Sequence, residues 1–271
     1  MGCLALVTSA RAAFMIQINY TGDPQYESYF TTAADAWQTQ LVGYQNGAIQ
    51  TAYEGSSYFG ALVGEPLTTV YINATVSFID GPGMIFGSAG PTSGILDLAG
   101  YTLATDGVMS FDSADVVDLV AAGAFYDVVR HEMAHVLGFG TLWEPNGVYS
   151  SGSGEFTGPS ATAYWLSEFG QTGYPAVELG GGPGVADGHW HEIDNGAIPS
   201  GVVSEDGDLR HELMTGWLNT PTFISDLTIA SFIDIGFIGS VVKAPEPSSL
   251  VTTSILIAGL GLGLKRRRAA D

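Results

Sequence analysis

The stretch from Asp127 to Gly140, DVVRHEMAHVLGFG, decides how this chain is read. Histidines at 131 and 135 stand one turn apart on a 3.6-residue helix, so their imidazoles lie one above the other and can close on a single cation. Glu132, next to the first of them, can reach a water on that cation. Phe125, Val128, Val129, Val136 and Leu137 supply apolar residues at helical spacing, as a buried helix requires, and Gly138 offers a left-handed stop. The spacing therefore predicts a helix that begins near Ala124 and carries a metal site on one face.

Outward from that helix the chain alternates between periodic and irregular stretches. Phe14 to Tyr20 alternates apolar and polar residues like a strand. Pro24 to Tyr44 reads as a helix, with Tyr26, Phe30, Ala33, Ala34, Trp37 and Leu41 at steps of three and four. Leu67 to Ile79 is rich in Val, Ile, Thr, Tyr and Phe and predicts one long strand or two short ones. Asp80 to Gly100 repeats Gly and Pro and reads as loop. Ser113 is placed to cap a short helix through Ala122, which Gly123 then breaks. From Gly140 to Gly188 the pattern dissolves into Gly, Ser, Pro and Thr around one helix from Ser160 to Phe169, and so long a loop-rich stretch inside a domain is usually functional. Thr220-Pro221 predicts a helix start, with apolar residues at helical spacing from Phe223 to Ile235. There is no internal repeat, and the class is mixed α+β.

A chain of 271 residues, 46% of them hydrophobic, can bury a sizeable core. Between Phe14 and Val242 the only basic residues are Arg130 and Arg210, against 26 acidic ones, since only Glu246 and Asp271 of the 28 fall outside. Such a surface repels phosphate backbones and argues against nucleic acid as a partner. It is a solvated exterior that could also take up Ca²⁺. Cys3 is the one cysteine, so no internal disulfide forms and stability must come from core packing and metal.

The two ends read differently from the middle. Residues 1–13 resemble the tail of a secretory signal, an apolar run followed by small residues suited to cleavage near Ala12 or Ala13, although the usual basic start is missing. A core strand is the alternative. Residues 240–248 form a linker with Pro245-Glu246-Pro247-Ser248, and 249–271 hold sixteen apolar or small residues followed by Lys265, Arg266, Arg267 and Arg268. At about 1.5 Å per residue that run spans roughly 24 Å, close to the ~30 Å hydrocarbon core, and its cationic end should stay cytoplasmic. The arrangement resembles the PEP-CTERM sorting signal of bacterial exported proteins. It implies transient anchoring in the membrane, processing by exosortase-type machinery, and an envelope, surface or extracellular destination for the domain at 14–239. A buried C-terminal helix would leave four cations with no anionic partner in sequence.

The central motif is the H-E-x-x-H pattern of zinc peptidases, in which two histidines bind Zn²⁺ and the glutamate is the general base. A catalytic zinc needs a third protein ligand and an open position for water. In H-E-x-x-H-x-x-G-x-x-H that ligand would stand at 141, which here is Thr141. All five histidines, His131, His135, His189, His191 and His211, fall within the same eighty-odd residues, and His189 in Asp187-Gly188-His189-Trp190-His191-Glu192 is the best placed. The segments HEMAHVLGFGTLW, GHWHE and ELMTGW together resemble the leishmanolysin family of metzincins, over about Phe14 to Gly236. In that family an insertion precedes the third histidine, and a later Glu-Leu-Met segment forms the Met-turn.

The resemblance implies that His131, His135 and His189 bind one catalytic Zn²⁺, that Glu132 is the catalytic base, and that Met214 is the Met-turn methionine beneath the metal. His191, Glu192, His211 and Glu212 would lie around the ligands. His191 as a ligand, and a gluzincin-type site completed by Glu192 or Glu212, remain open. The implied fold is a metzincin-like α+β domain, a twisted mixed sheet plus helices on one side of a cleft and a loop-rich C-terminal subdomain on the other. The implied activity is that of a zinc metalloendopeptidase on polypeptide substrates. Protozoan members have many disulfides and a cysteine-containing propeptide, and this chain has neither. An inactive surface adhesin or matrix protein with a structural zinc, and a hydrolase of non-peptide amides, are the competing readings.

Overall fold

Strand-type alternation at 15–21 and 69–77 builds the sheet on which the rest is laid in the computed structural model, which describes residues 14–48, 66–83 and 85–240. The strands are β1 (Met15–Thr21), β2 (Leu41–Tyr44), β3 (Thr69–Ser77), β4 (Gly87–Leu96), β5 (Thr102–Asp112) and β6 (Phe237–Gly239). The helices are α1 (Glu27–Gln40), α2 (Val116–Ala121), α3 (Phe125–Leu137), α4 (Pro159–Phe169) and α5 (Asp226–Asp234). The main sheet has the order β1-β3-β5-β4, parallel except for β4, which runs antiparallel to β5 at the edge. β2 and β6 form a separate antiparallel pair. The fold is mixed α+β.

One face of the sheet is apolar and the other open to water, because Ile16, Val70, Ile72, Ala74, Met109 and Phe111 are buried while Gln17, Asn19 and Asn73 are exposed. Helices α1 and α3 cover the apolar face. The buried side of α1 is Phe30, Ala33, Ala34 and Trp37, and the Trp37 indole donates to the carbonyl of Arg130 at 2.9 Å, tying α1 to α3. Phe30, Phe111 and Phe125 meet edge to face, a geometry that adds about 0.5–1.5 kcal/mol per pair to their burial. Helix α3 comes so near the sheet that a Cβ at Gly107 of β5 would lie 2.2 Å from Cγ1 of Val136. Glycine at 107 is what lets the histidine-bearing helix sit flat.

Helices α4 and α5 lie antiparallel, and each supplies the other's missing N-terminal acceptors. The Asp234 carboxylate accepts from the N–H groups of Ser160 and Ala161, both at 2.8 Å, and Glu168 accepts from those of Asp226 and Leu227 at 3.2 and 2.8 Å.

Several sequence expectations are corrected. Asp80 to Gly100 is not all loop, because β4 occupies 87–96; its glycines and Pro91 are tolerated at a sheet edge, where a missing N–H costs nothing and the register breaks around 91–94 are bulges. Residues 102–112, to which the pattern assigned nothing, form the strand between β3 and β4, with Asp106 and Gly107 interrupting its apolar run. The first helix stops at Gln40, since Leu41 to Tyr44 turn extended to pair with β6. The short helix starts at Val116 rather than on a Ser113 cap, and the last helix at Asp226, where the Ser225 hydroxyl accepts from the Thr228 N–H. Leu67 to Ile79 is one strand, and the helix predicted from Ser160 to Phe169 is present with Pro159 at its first position. Among the described residues no helix is long and apolar enough to cross a membrane. The predicted signal at 1–13, the linker after Ser240 and the sorting segment at 249–271 lie outside the described residues.

Burial is the main influence on Glu168, and it pushes the carboxyl from 4.5 up to about 7 against the pull of the Leu227 N–H. A raised carboxyl pKa means the folded state holds its proton longer than the unfolded chain, so this group's contribution to stability is full below about pH 4.5 and lost as pH rises through 7. Urea unfolding at about pH 5 and about pH 7 should show a smaller loss for Glu168→Gln than for the parent. Asp234→Ala should cost about 0.5–2 kcal/mol, as the loss of a helix cap does.

Candidate metal centre

Helix α3 ends where the sequence stops being helical. Gly138 takes φ 120°, and its N–H reaches back to the carbonyls of Ala134 and His135. Two residues later Gly140, at φ 71°, lies against Gly188: a Cβ at 140 would stand 2.7 Å from the Gly188 oxygen and 2.8 Å from its Cα. The chain that returns after the long loop therefore passes directly over the end of α3, and the next residue it delivers is His189. The turn before it is held by Asp187, whose carboxylate accepts from the Tyr149 and Ser151 hydroxyls and the Gly152 N–H.

All three imidazoles are aimed by the backbone. Nδ1 of His131 lies 2.6 Å from the Leu213 carbonyl, Nδ1 of His135 lies 2.9 Å from that of Phe139, and Nδ1 of His189 lies 2.8 Å from that of Val185. A carbonyl can only accept, so each Nδ1 carries the hydrogen and each Nε2 presents a lone pair. The three Nε2 atoms converge at 3.0, 3.1 and 3.1 Å. Three bare acceptors at that spacing repel one another unless a cation sits between them. Zn–N bonds of about 2.0–2.1 Å in a tetrahedron separate ligand nitrogens by roughly 3.3 Å, so the triangle fits a zinc-sized ion with small adjustment. The cluster could hold a metal ion. Burial, followed by the neighbouring rings, holds His131 down to about 3 and His189 well below the ordinary range; burial lowers His135 too. All three are thus held toward the neutral form that a metal ligand requires.

Glu132 opens onto the same cleft, a cavity of about 720 Å³ walled by Ile85 to Ala89 on one side and Pro183 to His189 on the other. Its Cγ lies 3.0 Å from where a Cβ of Gly87 would be, so the first residue of β4 must be glycine-small to leave the carboxyl its place. Burial pushes that carboxyl up to about 8. No family model matches the chain, and no curated protein matches it.

The remaining predicted residues divide. Met214 is fully buried in the turn that follows Leu213, and its carbonyl accepts from the Trp190 N–H at 3.0 Å. His191 is not in the cluster and pairs with Glu178 at 2.7 Å. His211 gives Nδ1 to the Asn219 carbonyl at 2.9 Å. Neither Glu192 nor Glu212 belongs to the cluster. Glu192 is buried beside the Gly216 backbone, and Glu212 is occupied by backbone and hydroxyl groups. Residue types alone do not point to the three orienting carbonyls, which are backbone atoms. A glycine pair at 140 and 188, flanking the second and third histidines of the cluster, was the available signal for the close approach.

Alanine at 140 would meet the Gly188 backbone and a left-handed φ together, so it should lower stability by 1–2 kcal/mol or more and weaken zinc binding by about tenfold or more. Competition with a chromophoric chelator measures the second effect; Gly123→Ala, also at positive φ but with open space around it, should leave zinc affinity unchanged.

Proposed function

We propose that this chain is a zinc-dependent metalloendopeptidase of the metzincin class, similar to leishmanolysins, that hydrolyses peptide bonds. The observation that carries the reading is the convergence of three neutral Nε2 atoms beside Glu132 on the wall of an open cleft. Three protein ligands leave a position for water, whereas a structural zinc closes its shell with four. That favours catalysis over the adhesin reading.

His131, His135 and His189 would hold the zinc ion, which when bound would supply Lewis acidity toward a water and the scissile carbonyl. Glu132 would take the proton of the attacking water and return it to the leaving amine. Gly87 to Ala89 of the edge strand line the cleft beside Glu132, so an extended substrate backbone can pair with β4 while its side chains meet Phe86, Val128 and Leu213. In the same reading Met214 is the Met-turn methionine beneath the metal. Export and removal of the C-terminal segment by exosortase-type machinery complete the proposal.

Purified protein incubated with casein should cleave it, and a chelator should stop the reaction. Glu132→Gln should bind zinc with parental stoichiometry and lose about 10²- to 10⁴-fold in turnover. Turnover at the parental rate would contradict the role of Glu132, and cleavage of cell-wall amides but not casein would move the substrate class.

A further inference from the structure

Glu212 is a carboxylate buried among donors that are all neutral. It is 1% exposed, and among the described residues no basic side chain forms an ion pair with it. Its carboxylate instead gathers four donors. Oε2 accepts from the Met214 N–H at 2.6 Å, and Oε1 accepts from the Ser225 N–H at 3.1 Å, the Ser225 hydroxyl at 2.9 Å and the Thr228 hydroxyl at 2.6 Å. Each hydroxyl has only one hydrogen to give, and the remaining contacts agree: the Thr228 oxygen accepts from the Trp190 indole at 2.8 Å, and the Ser225 oxygen accepts from the Thr228 N–H at 3.1 Å. An environment made only of donors requires a group that accepts at both ends. A carboxylate does so, and an amide does not, because its NH₂ would face either Met214 or the three donors on the other side.

Both ends of this network lead to the metal ligands. The Met214 N–H belongs to the peptide whose carbonyl is that of Leu213, so the group Glu212 grips is the same planar unit that aims the His131 ring. Trp190, at the end of the Thr228 arm, follows His189, and its N–H binds the Met214 carbonyl. We propose that Glu212 is a positioning residue for the metal centre, fixing the 213–214 peptide and the segment at 189–190 as one unit so that His131 and His189 meet at the geometry a cation needs. The inference rests on the zinc reading of the histidine cluster. It gives a reason for burying a carboxylate that is held by hydrogen bonds and not by an ion pair, at a desolvation cost of several kcal/mol.

Zinc affinity by chelator competition, the visible spectrum of the Co²⁺-loaded protein and the melting temperature should be measured for the parent, Glu212→Gln and Ser225→Ala. Ser225→Ala removes one donor and a helix cap on the far side of the carboxylate but leaves the Met214 bond. It should lower the melting temperature and leave affinity and spectrum as in the parent. Glu212→Gln should bind zinc at least 10-fold more weakly and shift the Co²⁺ bands, as loss of a group that orients a metal-bound histidine does. Parental affinity and spectrum in Glu212→Gln, or an equal loss of affinity in Ser225→Ala, would overturn the proposal. If Glu212→Gln does not fold, Thr228→Val decides, since it cuts only the Trp190 arm: weaker zinc binding is expected, and parental affinity would overturn the role. A parent that binds neither Zn²⁺ nor Co²⁺ refutes the metal reading itself.

Discussion

Three imidazole lone pairs, each forced inward by a carbonyl behind it, face one another across about 3 Å. Water cannot relieve that repulsion by donating to all three at such separation, and a proton on one ring can bridge to only one of its two neighbours. A positive ion between them satisfies all three at once. The architecture around the cluster can be understood as what is required to hold this unfavourable convergence in place: a helix pressed onto a sheet at Gly107, a backbone crossing at Gly140 and Gly188, and a turn at 212–215 whose carbonyl reaches His131.

The supports come from elements far apart in sequence. Phe139 follows directly from the helix, Val185 belongs to the loop that brings the third histidine, and Leu213 arrives after a further stretch of irregular chain. None of these acceptors is a side chain, so their identity is free to vary while their position is not. The side chains that fix the position, Asp187 with Tyr149 on one side and Glu212 with Ser225 and Thr228 on the other, are carboxylates saturated by donors. In a chain with so few basic residues, hydroxyls and backbone N–H groups do the neutralising that lysine and arginine do elsewhere.

What could be seen in advance followed from how local each signal was. The α3 helix and its two histidines were legible because periodicity and spacing lie within thirteen residues. His189 was reachable by elimination among five histidines and by resemblance, and the convergence of its Nε2 with the other two is the geometry that choice required. Strand β4 was illegible because its composition is that of a loop, and only pairing with β5 makes it a strand. Strand β5 was missed because Gly107, needed for the approach of Val136, and Asp106 break its alternation. Tertiary packing overrode local preference at Leu41 to Tyr44, where the neighbour is β6. Glu192 and Glu212 were plausible ligands by residue type; burial among other partners is invisible to sequence.

The glycines, Pro91 and register breaks of β4 also bear on what this protein does in a crowded solution. An unpaired strand flank is a template that other copies can zip onto, and a straight ten-residue one would invite stacking into oligomers. Kinked after Gly90 and lacking a donor at 91, the rim offers only a short usable length, the part beside Glu132. In the proposed reading a guest chain entering the cleft would find that segment available, while two copies of the protein meeting rim to rim would find too little to hold them together.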